Sequence, residues 1–585
     1  MSDAAPDRRG QLLLGASLLA PVGGVLFALP RPALGVLAAG GVCGLVAWAR
    51  RRSPYLGSGW RVVGAALVFL LLVQGIVLAG VVGPAPRQGF TDTAILGRTA
   101  NALALLALAG AALLALPWER WLAPREADPG HPARWSLAVV VGLSALWHLA
   151  VLASTGGPLV QIDSAANLYQ MPLFHPTSGG APHHPPFYPA LIRLVADGPH
   201  FWSGLWAVIA VQHAAVVVAA ATVERLLARW SLGAVAALGG LAVGLNGQLA
   251  LYAQSIMTEV FGAVPVLVGF ALVFLAPSRR RPLAWLLAAG ACVGLGALTR
   301  QIDQGWFAVG ALGIVLSRVR PRWTAVGVFC AAALAPILLT ILHNYVYTDR
   351  AVFTAAVGRN LTYRVLVDAP ELPRGTDPAT DPWEAARQIA WRERDTCWLG
   401  PYNALKEELG WSDAQVDQAF QHFYREQLLG HPAHYARQTL GYAGTLLTVR
   451  ETFEGGVDWH NKVRELLEVD AWTTPPPARH PPAPLELWAE FAPTTRVPFL
   501  LLALLAPVVT RGLPRAAALT ALAAVAYFVG LTCLVELPVA RYRLPAVGFL
   551  ILAASLSLGG LAQLLYRLGG GVGELVAPQA APAPP

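Results

Sequence analysis

Apolar runs of close to twenty residues recur along almost the entire chain, and this recurrence constrains the fold more than any other feature. Wound as a helix, such a run matches a bilayer's hydrocarbon core of about 30 Å. Candidate spans lie near Gln11 to Leu29, Ala33 to Ala49, Val62 to Val82, Ala94 to Pro117, Trp135 to Thr155, Trp202 to Val223 and Leu232 to Leu251. They continue near Ile256 to Leu275, Pro282 to Leu298, Gly305 to Leu316, Trp323 to Leu342, Val497 to Val509, Ala516 to Leu534 and Leu544 to Leu565. That is about fourteen crossings. The two starting at Gly305 and Val497 are short for an upright helix, which implies tilt, a break or extension by neighbours.

Composition agrees. Of 585 residues, 55% are apolar and 13% charged, whereas a soluble domain carries about 25% charge. A disordered chain, a disulfide scaffold and a soluble enzyme are excluded. The cysteines Cys43, Cys292, Cys330, Cys397 and Cys533 have neither zinc spacing nor a disulfide framework.

The basic residues set the orientation. With the N-terminus inside, twenty arginines fall on inward connections, among them Arg50 to Arg52, Arg279 to Arg281 and the Arg318, Arg320, Arg322 group. Outward connections, one long segment aside, hold seven: Arg31, Arg87, Arg98, Arg193, Arg300, Arg541 and Arg543. The positive-inside bias therefore puts both termini in the cytoplasm. The run at Gln11 is read as a retained helix rather than a cleaved signal. The net charge of +8 is an orientation signal, not the mark of a nucleic-acid partner.

The expected fold class is an all-α polytopic membrane protein with one mainly helical extracytoplasmic domain. The divisions are a four-helix membrane module (1–130), a membrane region with a first outer loop at 156–199 (131–345), the outer domain (346–496), C-terminal transmembrane helices (497–570) and a disordered tail (571–585). Between Asp349 and Arg496 there are 21 acidic and 15 basic residues, a density that no span shares. Within it, Ser412 and Gln415 form a capping box, Val416, Phe420, Phe423 and Leu428 an apolar face, and Gly430 with Pro432 a stop. The stretch His434 to Leu447 suits either the membrane surface or plain packing.

Candidate chemistry collects at the outer level. Asp163, in GGPLVQIDSAANLYQM, follows the end of an apolar helix, where a carboxylate suits a general base and equally an N-cap. The His183, His184, Pro185, Pro186, Phe187, Tyr188, Pro189 run is a stiff turn at the interface, where adjacent histidines suit a turn with one exposed ring better than a metal pair, with a single ligand alongside His175 left open. Glu259 opens a span, where a carboxylate is either functional or favoured by the helix dipole. Asp303, Glu536 and Asp349 are weaker candidates. Arg300, Arg541 and Arg543 suit a phosphate oxyanion or interfacial snorkelling, and His343 adds a titratable neighbour. Nucleotide-activated donors are cytoplasmic, so group transfer on the outer face draws on a lipid-linked donor. No phosphate-cradling loop, hydrolase elbow or kinase signature is present.

In order, these segments resemble the GT-C superfamily of integral-membrane glycosyltransferases, specifically its protein O-mannosyltransferase and lipid A aminoarabinose transferase branch. The matching segments are QIDSAANLYQ with HHPPFYPALI, SIMTEVF, GLGALTRQ, ARYRLP and HPAHYARQTL. They cover roughly Arg134 to Tyr347 and His431 to Leu565, leaving the first four helices without a counterpart. The resemblance implies inverting transfer of a sugar from a polyprenyl-phosphate donor to an extracytoplasmic protein, lipid or glycan. Asp163 would be the general base, with Arg300, Arg541 and Arg543 on the donor phosphate. Glu259, Tyr169, His183, His184, Tyr188 and His343 would position sugar or acceptor. The family's frequent second acid is missing beside Asp163, whose neighbours are Ile162 and Ser164, so no metal or other cofactor is assigned. With 40 of its 42 basic residues arginine, the composition suits a GC-rich bacterial genome, and the expected location is the bacterial inner membrane. An O-antigen-ligase-like enzyme using a diphosphate-linked glycan, and a lipid or glycolipid transporter, stand as alternatives.

Overall fold

The computed structural model describes residues 134–568, apart from 156, 160, 162–163, 165–184, 196–200, 231–232, 318, 349–350, 355–356, 367–381, 394–398, 449–482, 491–496 and 536–538. The first four expected spans, the tail, and Asp163, Tyr169, His183 and His184 lie outside the described residues. The described part is helical. Its β-type pairing is a parallel bridge between Leu159 and Ser255.

The helices of the membrane region are α1 (Arg134–Thr155), α2 (Phe187–Val195), α3 (Phe201–Leu227), α4 (Gly233–Gly244), α5 (Gly247–Ala253), α6 (Glu259–Leu275), α7 (Pro282–Ala297), α8 (Trp306–Ser317) and α9 (Arg322–Thr348). The segment between α9 and the last three helices contributes α10 (Val357–Leu366), α11 (Pro382–Arg392), α12 (Leu399–Leu409), α13 (Asp413–Gly430), α14 (Pro432–Thr448) and α15 (Ala483–Glu490). The chain ends on α16 (Val497–Val509), α17 (Gly512–Val535) and α18 (Leu544–Leu568). Among the described residues, six helices are long and apolar enough to cross a membrane, or seven with the bent pair α4 and α5 taken as one span. Helices α7 and α16 are shorter apolar ones. The count of fourteen is therefore not reached within the described part of the chain.

Burial orders the bundle. The apolar windows of α6 and α18 are 83% and 89% buried inside the protein, against 22% for α9. Helices α6 and α18 thus form the centre, flanked by α3, α7, α8 and α17, while α9 presents Leu338, Leu339 and Leu342 outward. In lipid the association of such helices rests on close packing. Small residues provide it: a Cβ at Gly290 would stand 2.3 Å from the Phe329 carbonyl oxygen of α9.

The span expected at Leu232 to Leu251 is broken, with a 40° bend between α4 and α5. Asn246 causes the break. Its Oδ1 accepts from the Leu249 N–H at 3.0 Å, capping a new helix where hydropathy is uninterrupted. Helix α6 likewise starts at Glu259, not Ile256, because Ser255 and Ile256 belong to the bridge region.

Helices α10 to α13 enclose their own core of Leu361, Leu366, Ala386, Leu405, Val416, Ala419, Phe420 and Phe423. Ser412 and Gln415 form the expected capping box of α13. Gly430 is the last residue of α13, and Pro432 opens α14 rather than merely ending its predecessor. Helix α14 packs along α17, with Tyr435 and Leu446 buried. Helix α15 returns to the membrane region: Leu485 and Ala489 join Val151, Leu159, Ala250 and Leu251 in one cluster. There the Trp488 Nε1–H donates to the Leu245 carbonyl.

Candidate functional site

The bridge region ties the loop after α1 to the entry of α6. Leu159 N–H donates to the Gln254 carbonyl at 2.9 Å, and Ile256 N–H donates to the Leu159 carbonyl at 3.0 Å. Gln161 Nε2 donates to Ser255 Oγ at 2.7 Å, and Ser164 Oγ donates to the Ile256 carbonyl at 3.0 Å. The residues bracketing Asp163 in sequence are therefore pinned to the strand-like segment that precedes Glu259. Sequence reading did not single out Gln161, Gln254 or Ser255. Their amides and hydroxyl, in otherwise apolar surroundings, are the signal that could have found them.

Three elements then converge on a charged corner. Glu259 begins α6 beside Thr258 and is 2% exposed. Arg300, just past the end of α7, brings Nη2 to 3.9 Å from Glu259 Oε1. Asp303 lies in the 3-10 turn Gln301–Gly305 and is fully buried. Arg300 and Asp303 close against Gly262, one turn into α6, where a Cβ would stand 2.6 Å from Arg300 Cδ and 2.8 Å from Asp303 Oδ2. Neither Asp303 oxygen and not Arg300 Nη1 has a hydrogen-bond partner among the described residues. Burial pushes the Asp303 carboxyl up to about 7, against the opposing pull of Arg300. The turn outside the spans is fixed from α17, because Tyr527 Oη donates to the Ile302 carbonyl at 2.5 Å and accepts from Gly305 N–H at 3.0 Å.

Tyr188 joins the same corner. Helix α2 is docked by a bond from Phe187 N–H to the Leu298 carbonyl at 2.9 Å. Tyr188 is fully buried, its ring 5.8 Å from that of Phe261. Burial, and then the neighbouring Glu259 charge, push its phenol well above the ordinary range. Glu259, Arg300, Tyr188 and the more weakly ranked Asp303 are thus gathered in one place.

The other candidate arginines sit in a different setting. Arg543 is fully buried in the turn Ala540–Arg543, and its Nη1 donates to the Leu446 carbonyl of α14 at 2.9 Å. Arg541 lies 5.0 Å from the ring centre of Tyr542. His343 is half-buried near the C-terminal end of α9, beside Asn344, whose Nδ2 donates to the Val352 and Phe353 carbonyls at 2.9 and 3.0 Å. One buried arginine escaped sequence reading. Arg364 of α10 donates to the Leu534 carbonyl at 3.3 Å and to Thr439 Oγ1 at 3.0 Å, with its guanidinium 4.9 Å from the Tyr442 ring centre. It joins α10 and α14 to α17. Among the described residues no group of three or more His, Cys, Asp or Glu could hold a metal ion.

No family model and no curated protein matches the chain. Solved structures do match. The archaeal oligosaccharyltransferase AglB from Archaeoglobus fulgidus, in complex with an inhibitory peptide and a dolichol-phosphate, is 13% identical at a TM-score of 0.36. That match covers 76% of this chain and 53% of that one. The apo form of the same organism's oligosaccharyltransferase is 14% identical at a TM-score of 0.37, with the same coverage. ArnT from Cupriavidus metallidurans, bound to undecaprenyl phosphate, is 14% identical at a TM-score of 0.29, covering 74% of this chain and 79% of that one. The chain spans about half the length of the oligosaccharyltransferases it matches.

Proposed function

We propose that the protein is a glycosyltransferase of the bacterial plasma membrane, with both termini cytoplasmic. It moves a hexosyl or pentosyl group from a polyprenyl-phosphate donor to an extracytoplasmic acceptor, with inversion. The observation that carries this reading is the Glu259, Arg300, Asp303 corner. Among the described residues, two buried carboxylate oxygens of Asp303 and one guanidinium nitrogen of Arg300 have unused hydrogen-bonding capacity. Leaving such groups buried and unpaired costs about 1–3 kcal/mol each. A ligand rich in hydroxyls and bearing an anion satisfies both kinds at once: sugar hydroxyls donate to Asp303, and a phosphate oxygen accepts from Arg300.

In this reading Asp163 removes the proton of the acceptor's nucleophile as that atom attacks the anomeric carbon. The bond from that carbon to the phosphate oxygen breaks through an oxocarbenium-like state. The leaving phosphate needs positive charge more than a proton. Arg300 is the first candidate, with Arg541 and Arg543 supplying charge from the α18 side. Glu259, 3.9 Å from Arg300, orients that guanidinium. Tyr188 closes the corner, while Tyr169, His183, His184 and His343 serve the sugar or acceptor.

The test is Asp163→Asn in a folded, purified protein given a polyprenyl-phosphate sugar and, separately, a diphosphate-linked glycan. Transfer from the monophosphate donor falls at least about 100-fold in the variant, since general base catalysis contributes roughly that much or more. Undiminished transfer would sink the base assignment. Transfer from the diphosphate donor alone, or movement of lipid across proteoliposomes without product, would sink the reaction class.

A further inference from the structure

A buried histidine pair inside the membrane region lies outside the mechanism above. His148 of α1 and His213 of α3 are each 2% exposed, and their Nδ1 atoms are 2.5 Å apart. His213 Nε2 stands 2.8 Å from Gln254 Oε1, and Gln254 Nε2 donates to the Gly157 carbonyl at 2.8 Å. These contacts fix the protons. The Gly157 carbonyl can only accept, so the NH2 of Gln254 faces it and Oε1 faces His213. Oε1 also only accepts, so His213 carries its proton on Nε2 and, when neutral, offers a lone pair at Nδ1. His148 must then donate from its own Nδ1. The alternative tautomer of either ring would set two N–H groups, or two lone pairs, against each other at 2.5 Å.

We propose that His213, with its tautomer set by His148, is a positioning residue that holds the first outer loop through Gln254. The loop is gripped on both sides of this relay. Gln254 takes the Leu159 N–H on its main-chain carbonyl. The adjacent Gln212 donates Nε2 to the Ala253 and Ser255 carbonyls at 2.8 and 2.9 Å. One turn of α3 thus controls the whole segment Tyr252 to Ser255, to which Gly157, Leu159 and Gln161 are bonded. Only the effect on transfer rests on the function proposed above; the hold on the loop does not.

The full-length protein in lipid nanodiscs tests this with His213→Leu and His213→Gln. Hydrogen exchange is read on the peptide spanning residues 157–164, and kcat and KM on transfer from a polyprenyl-phosphate sugar. The glutamine keeps an N–H for Gln254, so His213→Gln retains loop protection within about twofold. His213→Leu exchanges roughly tenfold faster there, the expected order for losing one buried hydrogen bond, and kcat falls with little change in donor KM. Unchanged exchange in His213→Leu, a glutamine variant as fast as the leucine one, or equal acceleration throughout α1 and α3 would each overturn the assignment. Should His213→Leu not fold, Gln254→Leu removes the other end of the same bond and is judged by the same outcomes. If Asp163→Asn leaves transfer undiminished, the proposed reaction fails while the exchange result still decides the relay.

Discussion

Arg364 and Arg300 are two arginines withdrawn from solvent and handled in opposite ways. Arg364 donates to the Leu534 carbonyl and to Thr439, and lies against Tyr435 and Tyr442, so its charge is absorbed by main-chain dipoles and ring faces. Arg300 faces Glu259 at 3.9 Å, beside an Asp303 whose oxygens accept nothing among the described residues. A buried cation with its donors placed is a joint. One set among acceptors with no donor among the described residues is a candidate site for a partner that those residues do not supply.

The largest expected effect tests the unsatisfied corner through pH. The Asp303 carboxyl is raised from 3.8 to about 7 by burial, with Arg300 pulling the other way. Below about pH 4 both folded and unfolded states hold the proton. As pH rises, the unfolded chain releases it first, so stability falls until the folded carboxyl also ionises near pH 7, and then levels off. The fall is on the order of 4 kcal/mol for a shift of this size. Asp303→Asn removes that slope, and the variant's melting temperature gains on the wild type between pH 4 and 7. Parallel melting curves across that window would mean that Asp303 is satisfied after all.

Next in size is Arg300→Gln. Loss of one charge-stabilising donor in a desolvated site costs roughly 100-fold or more in rate, about 3 kcal/mol. The expected result is transfer down by that factor with a melting temperature close to wild type. Arg364→Met reverses the pattern. It removes two charge-assisted bonds at the joint between α10, α14 and α17, costing roughly 2–3 kcal/mol in stability, while transfer per folded molecule is retained. Thermal unfolding and active-fraction titration of both variants check the pair, and a shared pattern would dissolve the distinction between joint and site.

Much of the fold is readable in the sequence because hydropathy and capping are local. The spans at Trp135, Trp202, Pro282, Trp323, Val497 and Leu544 are helices close to where their apolar runs place them, and Ser412 caps α13 as its spacing predicts. The break at Asn246 was missed because one polar residue hardly changes a twenty-residue average, although its side chain redirects the backbone. At the site, Glu259 and Arg300 were visible as charges at span ends. Tyr527 and the His148 and His213 pair were not, because their roles depend on contacts between segments far apart in sequence. Asp303 ranks lower in the sequence for a related reason: its distinction is full burial with no hydrogen-bond partner among the described residues, which no motif records.

The smallest and most selective perturbation is Gly262→Ala. The new methyl carbon would stand 2.6 and 2.8 Å from Arg300 Cδ and Cγ and 2.8 Å from Asp303 Oδ2, while α6 itself accepts alanine readily. What must move is the two site side chains rather than backbone. The gain in helix propensity, about 1 kcal/mol, offsets part of the crowding, so net stability changes by less than about 1 kcal/mol. Transfer nevertheless falls roughly tenfold, because a shift of a few tenths of an ångström turns the guanidinium away from the position a phosphate oxygen would occupy. A control at Gly327 of α9, where an added Cβ meets nothing within 4 Å, takes the uncompensated propensity gain of about 1 kcal/mol and leaves the rate unchanged. If Gly262→Ala matched that control in rate, the geometry of Arg300 and Asp303 would be irrelevant to transfer, and their corner would be one more joint like that of Arg364.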